Sequence, residues 1–198
     1  MNTIVLASAS PRRSEILEKL NIPFEKRMSS IDEKKYVNDN SIELVKMLAY
    51  EKANSVVNEL EDRIIIGADT VVVYENQVLG KPNSHDEAFH FLKQLSGKKH
   101  YVYSGIAMLS PYKKKVFIDY CETKVFMRDY KEHEINAYIK TMEPFGKAGA
   151  YAIQGFGATL VDKIEGDYYN VVGLPISKLI EGFTYLGVDY FNAFHGQA

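Results

Sequence analysis

Apolar and polar positions alternate in blocks along this chain, and each block changes period at a small or polar residue. Ile4-Val5-Leu6-Ala7 is an apolar run that stops at Ser8 and gives way at once to a helical pattern. Residues 3–8 read as a strand and 11–20 as a helix, with Ser10 suited to the N-cap and Pro11 to the first helical position. Ile16, Leu17 and Leu20 form its apolar stripe, and Asn21-Ile22-Pro23 ends it. Phe24 to Met28 is a short candidate strand, followed by a polar loop from Ser29 to Asn40. From 42 to 60, Leu44, Val45, Leu48, Ala49, Ala53, Val56, Val57 and Leu60 recur at helical spacing, with Ser41 placed to cap them.

The run from Arg63 to Tyr74 is too dense in β-branched residues for a comfortable helix. It reads as one central strand, or as two broken at Gly67 to Thr70. A turn at Asn76-Gln77 leads to Val78-Leu79-Gly80-Lys81-Pro82. Ser84-His85-Asp86-Glu87 is a capping box for a helix that runs to about Leu95 and stops at Gly97. Residues 99–109 and 114–127 read as antiparallel strands around the Pro111 turn, and Lys131 to Thr141 as a helix. A glycine-rich segment (Gly146, Gly149, Gly155, Gly157) follows. Leu160-Val161 and Tyr168 to Val172 then read as strands flanking a turn at Glu165-Gly166-Asp167. Pro175 opens a last helix that ends near Leu186-Gly187, and residues 188–198 read as a loose tail. Helices alternating with strands give an α/β fold, and the hairpin at 99–127 makes its sheet mixed.

A chain of 198 residues is expected to form one domain, or one domain of two lobes, with a core that needs no disulfide or metal. Its single cysteine, Cys121, rules out an internal disulfide framework and any multi-cysteine zinc site. It fits a reducing compartment, and in a predicted strand it reads as a small core residue. The N-terminal residues lack the pattern of a signal peptide, and no apolar stretch approaches the roughly 18 residues of a spanning helix. The expectation is a cytoplasmic protein with no membrane partner. The net charge of −2, with acids and bases interspersed, argues against a duplex-DNA binder. Any bound polyanion is expected to be small and held by a few placed cations.

Local misfits mark the candidate chemistry. Arg12 and Arg13 fall in the first turn of a helix, where the dipole disfavours cations. An anion at that terminus, met by backbone N–H groups, the hydroxyl of Ser8 and two guanidinium forks, would make the placement favourable. Phosphate is the obvious candidate. Lys52 lies on an apolar helical stripe and either snorkels at the core's edge or reaches into a cleft. Asp69 sits inside a hydrophobic strand, where a carboxylate must be paired, hydrogen-bonded or metal-bound. Lys81 stands between Gly80 and Pro82, and Glu33 in the polar loop. Two arginines and two lysines would offset the roughly four negative charges of a nucleoside triphosphate, with a divalent cation bridging phosphate oxygens. A central carboxylate would act as metal ligand, as base for a water, or as both. Neither of two familiar glycine-rich phosphate loops is present. The five histidines show no metal-ligand spacing, and Ser104-Gly105 is no nucleophile elbow.

These residues fall into ordered blocks: Leu6 to Arg13, Asp32-Glu33, Glu51-Lys52-Ala53, Gly67-Ala68-Asp69-Thr70-Val71, Lys81-Pro82, Gly149 to Gly155, and Val171 to Pro175. In that order they closely resemble the Maf-type nucleoside triphosphate pyrophosphatases, once described as septum-formation proteins. Ser104-Gly105 departs mildly from the Thr-Gly of many members. The resemblance implies a fold similar to the inosine triphosphatase group, a curved mixed β-sheet flanked by helices, with two lobes around a cleft. It implies hydrolysis between the α and β phosphates, a divalent metal cation (Mg²⁺ or Mn²⁺), and members that often pair as homodimers. It makes Asp69 the proton acceptor, with Glu33 helping to place the metal, and Arg12, Thr70 and Gln154 the positions of substrate choice. Ala150 to Gly155 resembles the branch that acts on dTTP and UTP. An amide at Gln154 offers donor and acceptor together, matching the O4 and N3–H edge of uracil or thymine. The alternative reading is a non-catalytic nucleotide-binding regulator of cell division.

Overall fold

The computed structural model describes residues 3–57 and 62–194. The chain divides into two compact units. The first takes in residues up to Asp69, Ser104–Cys121 and the chain from Gly173 onward; the second takes in Thr70–Tyr103 and Glu122–Val172.

In the first unit, β1 (Ile4–Ala7) pairs in parallel with β2 (Phe24–Arg27) and with the opening residues of β3 (Ile64–Tyr74). All four residues of β1 are buried, which is why it is apolar throughout and does not alternate. Helix α1 (Pro11–Lys19) starts with proline at its first position, as its sequence predicts. Its N-cap, Ser10, makes no side-chain cap; instead the Ser10 N–H donates to Ser8 Oγ at 3.2 Å. Helix α2 (Ser41–Asn54) is capped by Asn40, one residue before the expected Ser41, because Asn40 Oδ1 accepts from the N–H groups of Ile42 and Glu43 at 2.9 and 3.3 Å. It ends well before 60: Val56 and Val57 lie beyond it, and Leu60 falls outside the described residues.

Two glycines let α2 lie directly against the sheet. A Cβ on Gly67 of β3 would stand 2.1 Å from the Ala49 carbonyl oxygen. One on Gly105, in β5 (Lys99–Ser110), would stand 2.2 Å from that of Val45. Ala49 and Ala53 fill the narrow space between, both fully buried. Gly67 therefore does not break the β-branched run, and β3 is a single strand of 11 residues.

Strand β6 (Lys115–Met127) follows β5 across the turn at 111–114, and its Cys121 is only half-buried rather than in the core. Helix α6 (Ile176–Tyr185) packs Gly182 close to Met108 and Phe117. The expected loose tail contains a short helix, α7 (Tyr190–Phe194). Tyr190 explains it: its hydroxyl donates to the Leu20 carbonyl at 3.0 Å and its ring stacks on buried Phe183. Residues 195–198 lie outside the described part.

In the second unit, β3 turns back through Glu75 and Asn76, both at positive φ, into β4 (Gln77–Leu79), so the turn falls one residue earlier than expected. Helix α3 (His85–Leu95) begins at Ser84, whose Oγ accepts from the Glu87 N–H at 3.1 Å. The returning arm of the expected capping box goes instead to the Asn83 N–H, at 2.7 Å from Glu87 Oε2. Helix α4 (Glu132–Lys140) packs Ile135, Tyr138 and Ile139 into a core with Val72, Leu92 and Val125. Strand β7 (Val161–Glu165) pairs antiparallel with β6.

Residues 168–172, expected as a strand, form helix α5 (Tyr168–Val172). Asp167 overrides the β-branched pair Val171-Val172: its Oδ1 accepts from the N–H groups of Tyr169 and Asn170 and opens a helical turn. The complete sheet is seven-stranded and mixed, in the order β2-β1-β3-β5-β6-β7, with β4 added on β3. Strands β3, β5 and β6 each pass from one unit into the other.

Candidate active site

The close seat of α2 on β3 decides where Lys52 goes. One turn beyond Leu48 and Ala49, it meets Asp69, two residues after Gly67 on β3. Lys52 Nζ lies 2.6 Å from Asp69 Oδ1 and 2.8 Å from Glu33 Oε1. Both Lys52 and Asp69 are only 7% exposed. The carboxylate that looked misplaced in an apolar strand is thus ion-paired, and the lysine on the apolar stripe reaches inward rather than snorkelling out.

Glu33 arrives from the polar loop because that loop is ordered by local bonds. Asp32 Oδ1 accepts from the Lys34 N–H and caps a single 3₁₀ turn over Glu33–Lys35. Tyr36 then donates to Glu51 Oε2 on α2 at 3.4 Å, and the Ser29 and Ser55 hydroxyls meet at 3.0 Å.

Arg13 completes the buried part. It is 8% exposed; its Nε donates to the Gly173 carbonyl at 2.8 Å and its Nη1 to Ser8 Oγ at 3.0 Å. Burial lowers its pKa from the usual arginine value, Asp69 and Glu33 oppose that shift, and Arg12 adds to it. Arg12, Glu33 and Asp69 therefore all act electrostatically on Arg13. Ser8 Oγ and part of the Arg13 fork are turned to each other and to Gly173, so Arg13 serves first to join β1, α1 and the 173 turn. Arg12, one position earlier, is half-buried. Ser8, Arg12, Arg13, Glu33, Lys52 and Asp69 come together in the first unit.

Three further expected residues belong to the second unit. Thr70 is half-buried on β3, next to Asp69 and on the opposite face by the strand's pleat. Lys81 is exposed in the loop after β4. Gln154 is half-buried and precedes a 3₁₀ turn, Gly155–Leu160. The Lys81 loop is tied to the glycine-rich segment, since the Gly149 N–H donates to the Gly80 carbonyl at 3.0 Å. Gly149 is required there: its φ is +68°, and a Cβ would strike Val72 at 2.9 Å.

Sequence reasoning passed over Glu143 and Tyr138. Glu143 accepts from the N–H groups of Phe156 and Gly157 and from the Tyr138 hydroxyl, so it organises the turn after Gln154. The available signal was an acid just past the C-terminus of α4, where the dipole disfavours it.

Among the described residues, no group of three or more His, Cys, Asp or Glu side chains is arranged to hold a metal ion. Asp69 and Glu33 nonetheless meet at one cation, the Lys52 ammonium. Two hard oxygen donors suit Mg²⁺ or Mn²⁺, which are commonly bound by one or two carboxylates together with substrate phosphates. The residues fit such an ion arriving with a phosphate chain. Among the described residues no helix is long and apolar enough to cross a membrane.

A mixed α/β sheet with cations and carboxylates gathered around the middle of a buried strand is an arrangement suited to phosphate chemistry. The chain belongs to the Maf-like protein family, whose model matches residues 3–185. A dTTP/UTP pyrophosphatase of Alkaliphilus oremlandii is 52% identical to it over 180 residues, 90% of this chain and 93% of that protein. A dTTP/UTP pyrophosphatase of a Geobacillus species is 46% identical over 187 residues, 94% of this chain and all of that protein. The structure of the Staphylococcus aureus Ham1 protein overlaps 81% of this chain and 80% of that one, with a TM-score of 0.48 at 14% identity.

Proposed function

We propose that this chain is a nucleoside triphosphate pyrophosphatase that hydrolyses dTTP and UTP to the monophosphate and pyrophosphate, removing unwanted nucleotides. The buried Lys52–Asp69 pair with Glu33 above it is the observation that carries the reading. The two relatives, at 52% and 46% identity along nearly their whole length, support the substrate class.

Asp69 is the base. It takes one proton from the attacking water as the water oxygen bonds to phosphorus and the bridging bond between the α and β phosphates breaks. Lys52 holds the Asp69 and Glu33 carboxylates in place before substrate arrives and offsets phosphate charge afterwards. Arg12 and Lys81 add positive charge, and Arg13, bonded to Ser8, fixes the first turn of α1. Asp69 and Glu33 would hold a Mg²⁺ or Mn²⁺ ion, which when bound neutralises phosphate charge and polarises the P–O bonds. Gln154 reads the O4 and N3–H edge of the pyrimidine through its amide, and Thr70 contributes to substrate choice. The expected setting is the cytoplasm, with no nucleic-acid or membrane partner, and the expected state in solution is a homodimer.

Product analysis tests this. Incubation of the protein with dTTP or UTP and Mg²⁺ is expected to yield monophosphate and pyrophosphate in equal amounts. Diphosphate with inorganic phosphate, or no turnover of any triphosphate, overturns the proposal.

A further inference from the structure

Gln154 stands at the N-cap of the 3₁₀ turn Gly155–Leu160, yet its side chain makes no cap. The N–H groups that an N-cap side chain normally satisfies are those two and three residues on, here Phe156 and Gly157. Glu143 satisfies both from a distance: Oε2 accepts from the Phe156 N–H at 3.0 Å and Oε1 from the Gly157 N–H at 2.8 Å. The Tyr138 hydroxyl donates to the same Oε1 at 2.9 Å and accepts from the Ala152 N–H at 3.3 Å. The backbone is therefore tied on both sides of Gln154 to one Tyr138–Glu143 pair. Gly155 fits this arrangement and little else would. Its φ is +64°, and a Cβ there would lie 2.4 Å from Glu143 Oε2.

We infer that Glu143 is a positioning residue for pyrimidine selection: by capping the turn in place of Gln154, it leaves the Gln154 amide available to the base and fixes where it points. This rests on the reading of Gln154 as the residue that recognises the base. It predicts that Glu143 acts on selectivity through Gln154 and has no separate part in hydrolysis.

The test compares dTTP with dCTP, whose amino group replaces O4, in steady-state kinetics. Glu143→Gln keeps the size of the side chain but offers an NH₂ group where an acceptor is needed. The preference for dTTP in kcat/KM is expected to fall about tenfold or more, through a higher KM for dTTP with kcat within about threefold of wild type. In a Gln154→Ala background the same substitution is expected to cause no further loss of preference. Gly155→Ala, which drives a methyl group into the Glu143 carboxylate, is expected to reproduce the loss of preference and supplies the readout if Glu143→Gln does not fold. Collapse of the preference in Gln154→Ala but not in Glu143→Gln or Gly155→Ala overturns the positioning role alone. An equal fall in kcat for both triphosphates also overturns it. An unchanged preference in Gln154→Ala overturns the reading of Gln154 and this inference with it.

Discussion

Gly67→Ala is the substitution that probes how the site is assembled. The added methyl would lie 2.1 Å from the Ala49 carbonyl oxygen, 2.8 Å from the Ala53 nitrogen and 2.9 Å from the Ala53 Cβ. None of these is the end of a flexible side chain, so α2 as a whole must move off β3, by roughly 1 Å to restore ordinary contact distances. Overpacking of this kind costs about 1–3 kcal/mol, and contacts with the backbone of α2 rather than with flexible side chains place this case near 3. At 2–4 °C per kcal/mol for a chain of this size, Tm should fall by about 6–12 °C. Activity should fall further than stability. The same movement lengthens the 2.6 Å contact between Lys52 and Asp69, and displacing positioned groups by about 1 Å can cost on the order of 10²-fold in rate. Calorimetry and steady-state turnover of dTTP, measured well below the variant's Tm, separate the two effects. Gly80→Ala is the control for stability, because its Cβ would meet nothing within 4 Å, and its Tm should stay within about 1–2 °C of wild type. Wild-type Tm and turnover in Gly67→Ala would show that α2 does not rest on β3 at this glycine and would remove the account of how Lys52 reaches Asp69.

Lys52→Met leaves the Asp69 carboxylate buried without its ammonium and should destabilise by about 3–5 kcal/mol in urea unfolding; the double variant Lys52→Met/Asp69→Leu should regain most of that while remaining inactive. Stability no better in the double variant than in Lys52→Met would count against the pair's electrostatic role. Buried His100, bonded through Nε2 to the Tyr151 hydroxyl at 2.7 Å, has its pKa pushed down to about 4 by desolvation. Its folded-state pKa lies below the unfolded 6.5, so the unfolded chain binds the extra proton and stability is lost as pH falls from 6.5 towards 4. His100→Gln should show a shallower fall of Tm across that window than wild type, and parallel curves would refute the assignment.

Much of this was legible in the sequence because charge in the wrong place is a local signal. Asp69 inside an apolar strand, Lys52 on an apolar stripe and Arg13 in a first helical turn each stood out without knowledge of a partner. What joined them was not legible. Lys52 and Asp69 are 17 positions apart, and their contact depends on the backbone approach at Gly67 and Gly105, where the informative feature is a missing side chain. Helix boundaries slipped wherever two residues could cap, as at Asn40 and Ser41. Residues 168–172 were misread because two valines outweighed one aspartate in the pattern, whereas in the fold a single cap decides the matter. Helix α7 depends on a tyrosine bonding to a carbonyl 170 positions away, which no local period reveals. Glu143 escaped notice for the same reason: its partners lie 13 and 14 residues on, in a turn whose own N-cap leaves them unserved.

The central claim is that Asp69 removes a proton from water while its neighbours hold the triphosphate. Asp69→Asn preserves shape and removes the charge, so dTTP binding and single-turnover hydrolysis measured on the same folded variant test it most directly. The account predicts dTTP affinity within about tenfold of wild type and a hydrolysis rate lower by at least about 10²-fold. A rate close to wild type in that variant would contradict it.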